Sequence, residues 1–449
     1  MKKFSWFKSS PVIVVLALAA ACIEGGSNPN QKGVGDQPGG VKLGIGDIAV
    51  APYGDYVVFR HGDLLAAGLI DSAEIRDLPV ESPDLLAFSS VRSTVYVSTK
   101  AGFMTSSRVL AVDIKTGKVL WSTTVGMSGS ALKMLVAGSD GRFIIAASER
   151  LVEVLDAVTG VIRSTIALKR PLVDFKILPD NKRALVVEEH ELNVNNAPRT
   201  RLTVIQLETG ETKAINVPNC SDDVVVSADG QRAFLAPTTC SRDPVSVIEL
   251  SPGDEKFSRN LPGFGPVALS PDGSLAVAFL DSENIDVSLF DEPADVQKID
   301  LGVRYHLMII DPVTLRYDFA PVGESLPRFA ITPDGNVLLV DSFTINSNME
   351  SLRLFDVKSR SFRQITGDKI FLNNFVITSD SAHAYALMDG LYDIDITAGR
   401  AKEIVMGFTP VNINISADDK LLFLRKDDCE ICIFEIEGRT CLRSFNSKS

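Results

Sequence analysis

Residues Val109–Trp121 read VLAVDIKTGKVLW. The apolar run Val109–Val112 ends on Asp113, Thr116-Gly117 reverses the chain, and Val119–Trp121 begins the return. Short runs of β-branched and aromatic residues bounded by turn formers mark strands rather than helices. Gly supplies the positive φ that a tight reversal needs. The phrase recurs in weaker copies: Val152–Asp156 before Thr159-Gly160, Leu202–Gln206 before Thr209-Gly210, and Leu391–Asp395 before Ala398-Gly399.

A second phrase alternates with the first. Turns stand at Tyr53-Gly54-Asp55, Ser139-Asp140-Gly141, Pro179-Asp180-Asn181, Ala228-Asp229-Gly230, Pro271-Asp272-Gly273, Pro333-Asp334-Gly335, Ser379-Asp380-Ser381 and Ala417-Asp418-Asp419, with a degenerate copy at Val91–Ser93. The turn aspartates from Asp140 onward are 40, 49, 43, 62, 46 and 38 residues apart. Each unit reads strand, Asp turn, strand, loop, strand, Thr-Gly turn, strand, and no stretch sustains a 3.6-residue period. Four antiparallel strands at this spacing are the signature of β-propeller blades. One such sheet cannot bury both faces, so consecutive sheets stack. The expected fold is all-β: a single β-propeller of four-stranded antiparallel blades. Nine units can be outlined, from 46–80 to 410–445. Eight blades are favoured within a range of seven to nine, because the first unit, Ile48–Val80, is weak. Its strands are expected to complete another blade and close the ring.

Two families resemble these copies. Ala111-x-Asp113-x-x-Thr116-Gly117-Lys118-x-x-Trp121 is similar to the quinoprotein-type blade, in which the Trp docks on the neighbouring blade. The Pro-Asp-Gly units resemble YVTN/WD40-like propellers. Trp121 is the one docking Trp among the copies.

The N-terminus reads as targeting. Lys2, Lys3 and Lys8 precede the apolar run Val12–Ala21, which is about half the length that spans a bilayer, and Ala19-Ala20-Ala21-Cys22 follows. This resembles the lipobox of bacterial lipoproteins, with Leu18 one place further from the Cys than the family prefers. The resemblance implies acylation of Cys22, and Ile23 in place of Asp implies sorting to the outer membrane of the bacterial cell envelope. An ordinary secretory cleavage is the plainer reading of Ala-x-Ala. The expected organisation is a signal peptide over 1–21, a flexible Gly- and Pro-rich tether over 22–43, and a propeller over 44–449. A net charge of −12 repels polyanions, so nucleic acid is not an expected partner. The membrane is reached through the anchor, and the ring itself is expected to be a monomer.

Strand alternation sorts the connections onto two faces. The Asp-Gly and Thr-Gly turns share one face and are short. The loops between strands 2 and 3 share the other, and six are long: Thr99–Arg108, Glu188–Arg201, Thr238–Pro244, Asp281–Tyr305, Asp341–Ser351 and Arg425–Glu430. Long loops on a rigid scaffold are where function concentrates. The candidate binding residues are therefore Glu188, His190, Arg199, Arg242, Asp281, Glu283, Asp341, Arg425 and Asp427, around the channel mouth. Within the largest insertion, Ile285–Phe290 and Val296–Leu301 are expected to form an extra hairpin. A solvated rim of mixed charge is the plainer reading of the same residues.

Beyond Cys22, the expected disulfides are Cys220–Cys240 in one blade, and one from Cys441 to Cys432 or Cys429 in the last, with Cys432–Cys441 the pair taken. A metal or redox role for this Cys-x-x-Cys lacks a nearby His and a βαβ context. His61, His190, His306 and His383 are dispersed, and no Ser/His/Asp, Gly-x-Ser-x-Gly or phosphate-loop phrase occurs. No catalytic residue, metal site or cofactor is assigned. The function expected is that of a binding or scaffold protein with a protein or glycan partner on the long-loop face. The alternative is a channel enzyme of dehydrogenase or lactonase type. The quinoprotein enzymes need a Cys-Cys pair that this chain lacks, and a lactonase needs converging metal ligands.

Overall fold

The computed structural model describes residues 41–42, 48–51, 56–61, 64–69, 74–100, 105–192, 198–237, 243–324, 328–344, 349–365, 374–387, 390–426 and 430–446. Among these residues the chain forms nine antiparallel sheets in succession. Within each, four strands lie side by side in chain order. Blade 1 is Ile48–Val50, Tyr56–His61, Leu64–Leu69 and Ile75–Glu81. Blades 2 to 8 occupy 83–125, 132–167, 172–217, 223–261, 264–323, 328–364 and 374–404. Blade 9 is Asn412–Ile415, Leu421–Arg425, Glu430–Glu435 and Thr440–Asn446. The propeller thus has nine blades where eight were favoured. The difference lies in the first unit, which lends no strand to another blade and forms a complete sheet of its own.

Nine apolar clusters hold the ring, one at each blade-to-blade interface. Alternate residues of one strand go to different neighbours. Ile145 and Ala147 of blade 3 pack towards blade 4, while Ile144 and Ala146 pack towards blade 2. Both faces of the second and third strands are therefore dry, so they read as unbroken apolar runs. Each fully buried Val, Leu or Phe contributes about 1.5–3 kcal/mol. The ring closes where Val57, Phe59 and Ala66 of blade 1 meet Phe423, Ile431 and Ile433 of blade 9. No strand crosses this seam among the described residues. Cys432–Cys441 joins the third and fourth strands of blade 9, as expected.

A short extra strand, Val41–Lys42, runs antiparallel to the innermost strand of blade 2, Pro83–Phe88. Val41 lies opposite Leu86 and Lys42 opposite Leu85. These two residues fall inside the span expected as tether.

The repeated turn phrases have a hydrogen-bond logic. In blades 5 to 9 a hydroxyl stands two residues before the turn aspartate and donates to it: Ser227 to Asp229, Ser270 to Asp272, Thr332 to Asp334 and Thr378 to Asp380 at 2.6 Å, and Ser416 to Asp418 at 2.7 Å. The same hydroxyl oxygen accepts the amide five residues on, as from Leu275 and Val337. The acid ending the third strand organises the other turn. Asp113, Asp156, Asp311, Asp356 and Asp395 each accept the amide three residues later. Burial pushes the Asp156 carboxyl up, but the Arg163 guanidinium and the Thr159 and Val158 groups outweigh it and hold it at about 2. Asp380 and Asp418 are held low chiefly by the Thr378 and Ser416 hydroxyls.

These turns also lock blade to blade. A Cβ on Gly273 would lie 2.9 Å from Cβ of Ala228 in the preceding blade's turn. Asn181, Ser381 and Asp419 take the place of Gly with positive φ. Each reaches back to the previous turn: Asn181 Oδ1 accepts the Ser139 amide, Ser381 Oγ the Asp334 amide, and Asp419 Oδ2 the Ser379 amide. Trp121 docks on blade 3, where its Nε1 donates to the Ala157 carbonyl at 3.2 Å. Arginines bridge in the same way elsewhere. Arg76 of blade 1 donates to the Lys115 carbonyl of blade 2, and Arg363 of blade 7 to the Thr397 and Ile396 carbonyls of blade 8.

A Cβ on Gly160 would sit 2.5 Å from the Trp121 ring, at a φ of +71°. Gly160→Ala should therefore destabilise the chain by about 2 kcal/mol or more, read by chemical denaturation. Asp156→Asn should cost about 1 kcal/mol at pH 7. A depressed folded-state pKa stabilises above the unfolded value near 4 and is lost as pH falls towards about 2. The gap between Asp156→Asn and wild type should accordingly close in unfolding curves taken between pH 5 and pH 2.

Candidate functional site

One face carries the short turns. The other carries the connections between blades and the loops between strands 2 and 3. On this second face, two of the expected loops continue the ladder instead of departing from it. In blade 4 the strands Arg183–Leu192 and Pro198–Gln206 stay paired to Leu192 opposite Pro198. In blade 7, Val337–Thr344 and Met349–Asp356 stay paired to Thr344 opposite Met349. The corresponding strands of blade 3, Phe143–Ser148 and Leu151–Asp156, have only two residues between them. Blades 4 and 7 therefore carry two-stranded arms that rise from the loop-rich face. They stand three blades apart in the ring of nine.

The candidate residues of the blade 4 arm divide into support and surface. Glu188 is 1 % exposed and is a brace rather than a loop contact. Its Oε2 accepts the Arg170 amide at 2.8 Å, and its Oε1 accepts Thr203 Oγ1 at 2.5 Å and Arg201 Nε at 3.1 Å. Beyond this brace, Glu189, His190, Glu191 and Leu192 are exposed. Arg199 lies across the arm from Glu191, and Arg170 pairs with Glu191. His190 Nδ1 lies 3.2 Å from Cys220 Sγ, in the connection leading into blade 5. Cys220 is buried and disulfide-bonded, with its partner outside the described residues. Its amide donates to Asp243 at 2.8 Å. The expected partner Cys240 lies outside the described residues, as do Cys22, Cys429, Arg242 and Asp427.

The largest insertion is not a hairpin and does not decorate the channel mouth. It forms two 3-10 turns, Ser282–Asn284 and Val287–Leu289, and a single helical turn, Pro293–Val296. Asp281 and Asp286 cap the 3-10 turns by accepting the Glu283 and Ser288 amides. Ile285, Phe290 and Ile299 pack into the cluster shared by blades 5 and 6. Phe290 sits against Tyr317 and Phe319 of blade 6's outermost strand, and Asp291 pairs with Arg259 of blade 5's outermost strand at 2.7 Å. The segment is thus a strap down the outer rim of these blades. The hairpin expectation failed because Ile285, Phe290 and Ile299 serve one apolar patch instead of alternating across a sheet. Asp281 is 5 % exposed, and Arg304 lies between it and the exposed Glu283.

His306 lies beneath this strap. It is fully buried, with the Arg304 and Asp300 backbone beside its ring. Burial lowers its pKa, against the opposing charge of Asp300. Asp341 occupies a strand position opposite Arg328 and Leu352, and Arg425 ends the second strand of blade 9, opposite Asn412 and Ile431. The candidate residues therefore do not converge on one chemical centre. They spread over the blade 4 arm, the strap, the blade 7 arm and blade 9.

Sequence reading missed a polar group between blades 8 and 9. Asp393 accepts from His383 Nδ1 and Arg439, each at 2.8 Å, and the His383 ring stacks on Tyr385, whose pKa burial pushes up to about 12. It also missed a cleft of about 310 Å³ between blades 6 and 7, lined by Asp311, Arg316, Asp318 and Arg360 among others. Each draws its residues from adjacent repeats, and no contiguous motif announces them. Among the described residues, no group of three His, Cys, Asp or Glu side chains could hold a metal ion.

No family model and no curated protein matches the chain by sequence. Solved structures do match by shape. A eukaryotic initiation factor has a TM-score of 0.54 at 12% identity, over 75% of this chain and 82% of that one. The dihydro-heme d1 dehydrogenase NirN in complex with DHE has a TM-score of 0.53 at 15% identity, over 88% and 74%. Dipeptidyl peptidase 4 of Porphyromonas gingivalis has a TM-score of 0.52 at 11% identity, over 89% and 59%. At these identities what is shared is the fold. The chain is a β-propeller repeat protein.

Glu188→Ala should destabilise by about 3 kcal/mol, because it strands the buried Thr203 hydroxyl and half-buried Arg201, whereas exposed Glu191→Ala should cost under about 1 kcal/mol. Denaturation of both variants checks the contrast. His306 has a folded-state pKa below its unfolded value, so its neutral form stabilises above about pH 6.5 and that contribution is lost as pH falls through the folded pKa. His306→Leu should flatten the stability profile below about pH 6.5, as followed by thermal unfolding.

Proposed function

We propose that this chain is a lipid-anchored, extracytoplasmic propeller that holds a protein or glycan partner on its loop-rich face. The observation that carries the reading is the pair of arms on blades 4 and 7. Among the described residues, they are the ladders that outgrow their blades on one face, and they stand apart as two jaws would. The blade 4 arm is stiffened at its base by Glu188 and at its flank by His190 against Cys220. A stiff contact surface lowers the ordering cost of binding. Its outer part offers Glu189, Glu191 and Leu192, a polar surface with one exposed apolar side chain. The basic n-region, the short apolar run and Ala-Ala-Ala-Cys22 support an acylated N-terminus in a bacterial envelope.

The test is crosslinking in whole cells, with each arm shortened in turn to a tight turn. The wild-type chain should yield a discrete crosslinked partner. Shortening either arm should cut that yield at least tenfold while leaving the unfolding midpoint within a few degrees. Crosslinking that survives loss of both arms would remove the loop-rich face from the reading. Separately, Cys22→Ser should abolish incorporation of labelled palmitate and move the protein from the membrane to the soluble fraction.

A further inference from the structure

The direction of the extra strand Val41–Lys42 decides which way the ring faces. The innermost strand of every blade starts at a blade connection and ends at the Asp turn. It therefore runs from the loop-rich face to the short-turn face. Pro83–Phe88 of blade 2 does so, ending just before the turn in which the Ser89 amide donates to the Thr94 carbonyl. Val41–Lys42 is antiparallel to it, with Val41 opposite Leu86 and Lys42 opposite Leu85. It climbs from the short-turn face towards the loop-rich face along the channel wall. An independent strand agrees. Ile48–Val50, the innermost strand of blade 1, must begin at the loop-rich face, since Ala51 follows it and donates to the Tyr56 carbonyl at the next turn. The chain reaches Ile48 from Lys42 on the side where the short strand ends.

We infer that the N-terminal chain enters the ring through the short-turn face, so an anchor at Cys22 holds that face towards the bilayer and turns the two arms away from it. This inference rests on the lipid-anchored reading and adds a direction to it. The eighteen residues 23–40 can bridge at most about 60 Å, which bounds the distance from the anchor to the pole where the chain enters. The short-turn face suits this position. Its turns are compact and closed by their own hydrogen bonds. A partner presented to the arms would then come from the aqueous side, as another soluble or surface-borne macromolecule rather than a lipid headgroup.

Two measurements on the full-length protein test it. Opposed residues of an antiparallel pair are close enough for a disulfide. The pairs Val41→Cys with Leu86→Cys, and Lys42→Cys with Leu85→Cys, should each crosslink under mild oxidation, whereas Val41→Cys with Leu85→Cys should not. Next, the acylated protein in liposomes carrying a lipid-bound acceptor receives a fluorescent amino acid at Glu208, exposed on the short-turn face of blade 4, or at Leu192, exposed on its arm. Energy transfer from position 208 should be at least twofold stronger than from 192, and deleting residues 27–38 should widen the ratio. Equal transfer, or stronger transfer from 192, with the anchor intact would overturn the orientation. A Cys22→Ser chain that still binds the liposomes would instead overturn the anchoring, and the orientation with it. Crosslinking in neither matched pair would remove the strand on which the inference stands.

Discussion

The molecule depends on sheets that must cover one another. Every blade has two apolar faces, and each face is dry only because the next blade lies against it. Nine such contacts follow around the ring, and the ninth joins the last blade to the first. Because alternate side chains of one strand serve different interfaces, a slip of one residue in any strand would present the wrong set to both neighbours. The register is therefore held from two sides at once.

Turn chemistry supports that packing. The hydroxyl-Asp pairs and the strand-ending acids close each reversal internally. Gly, Asn, Ser or Asp at the left-handed position then decides how one turn meets the next. Gly permits close approach, and the other three replace it with a side-chain bond to the preceding blade. The short-turn face is thus a continuous structural surface. Variation is displaced to the opposite face, where ladders can lengthen without disturbing the ring.

Much of this was legible in the residues. The Asp-turn spacing and the Thr-Gly phrase located the blades, and Trp121 docks on its neighbour as the resemblance implied. The blade number was misread because Ile48–Val80 has an Asp turn at Tyr53-Gly54-Asp55 but no Thr-Gly turn before its last strand, although its two faces pack against blades 9 and 2. The docking role of Arg76 and Arg363 was not legible, since an arginine on an outer strand looks like a solvated charge until its carbonyl partners are known. The site was read less well than the fold. Loop length pointed to the right face, but length alone could not tell a strand continuation, as at 188–201, from a segment folded back on the rim, as at 281–304. Glu188 showed as a loop acid because its braces, Arg170 and Thr203, are distant in the chain.

The seam between the last blade and the first has a mechanical consequence. Many closed sheets are sewn by an exchanged strand, but among the described residues this hoop is fastened by side chains: Val57, Phe59 and Ala66 against Phe423, Ile431 and Ile433. Such a fastening holds by apolar burial, without a backbone ladder among the described residues to share the load. Breathing of the ring would start at this clasp, whose two blades are far apart in the chain, and spread outward from it, leaving blade 5 and the strap beside it the last part to loosen.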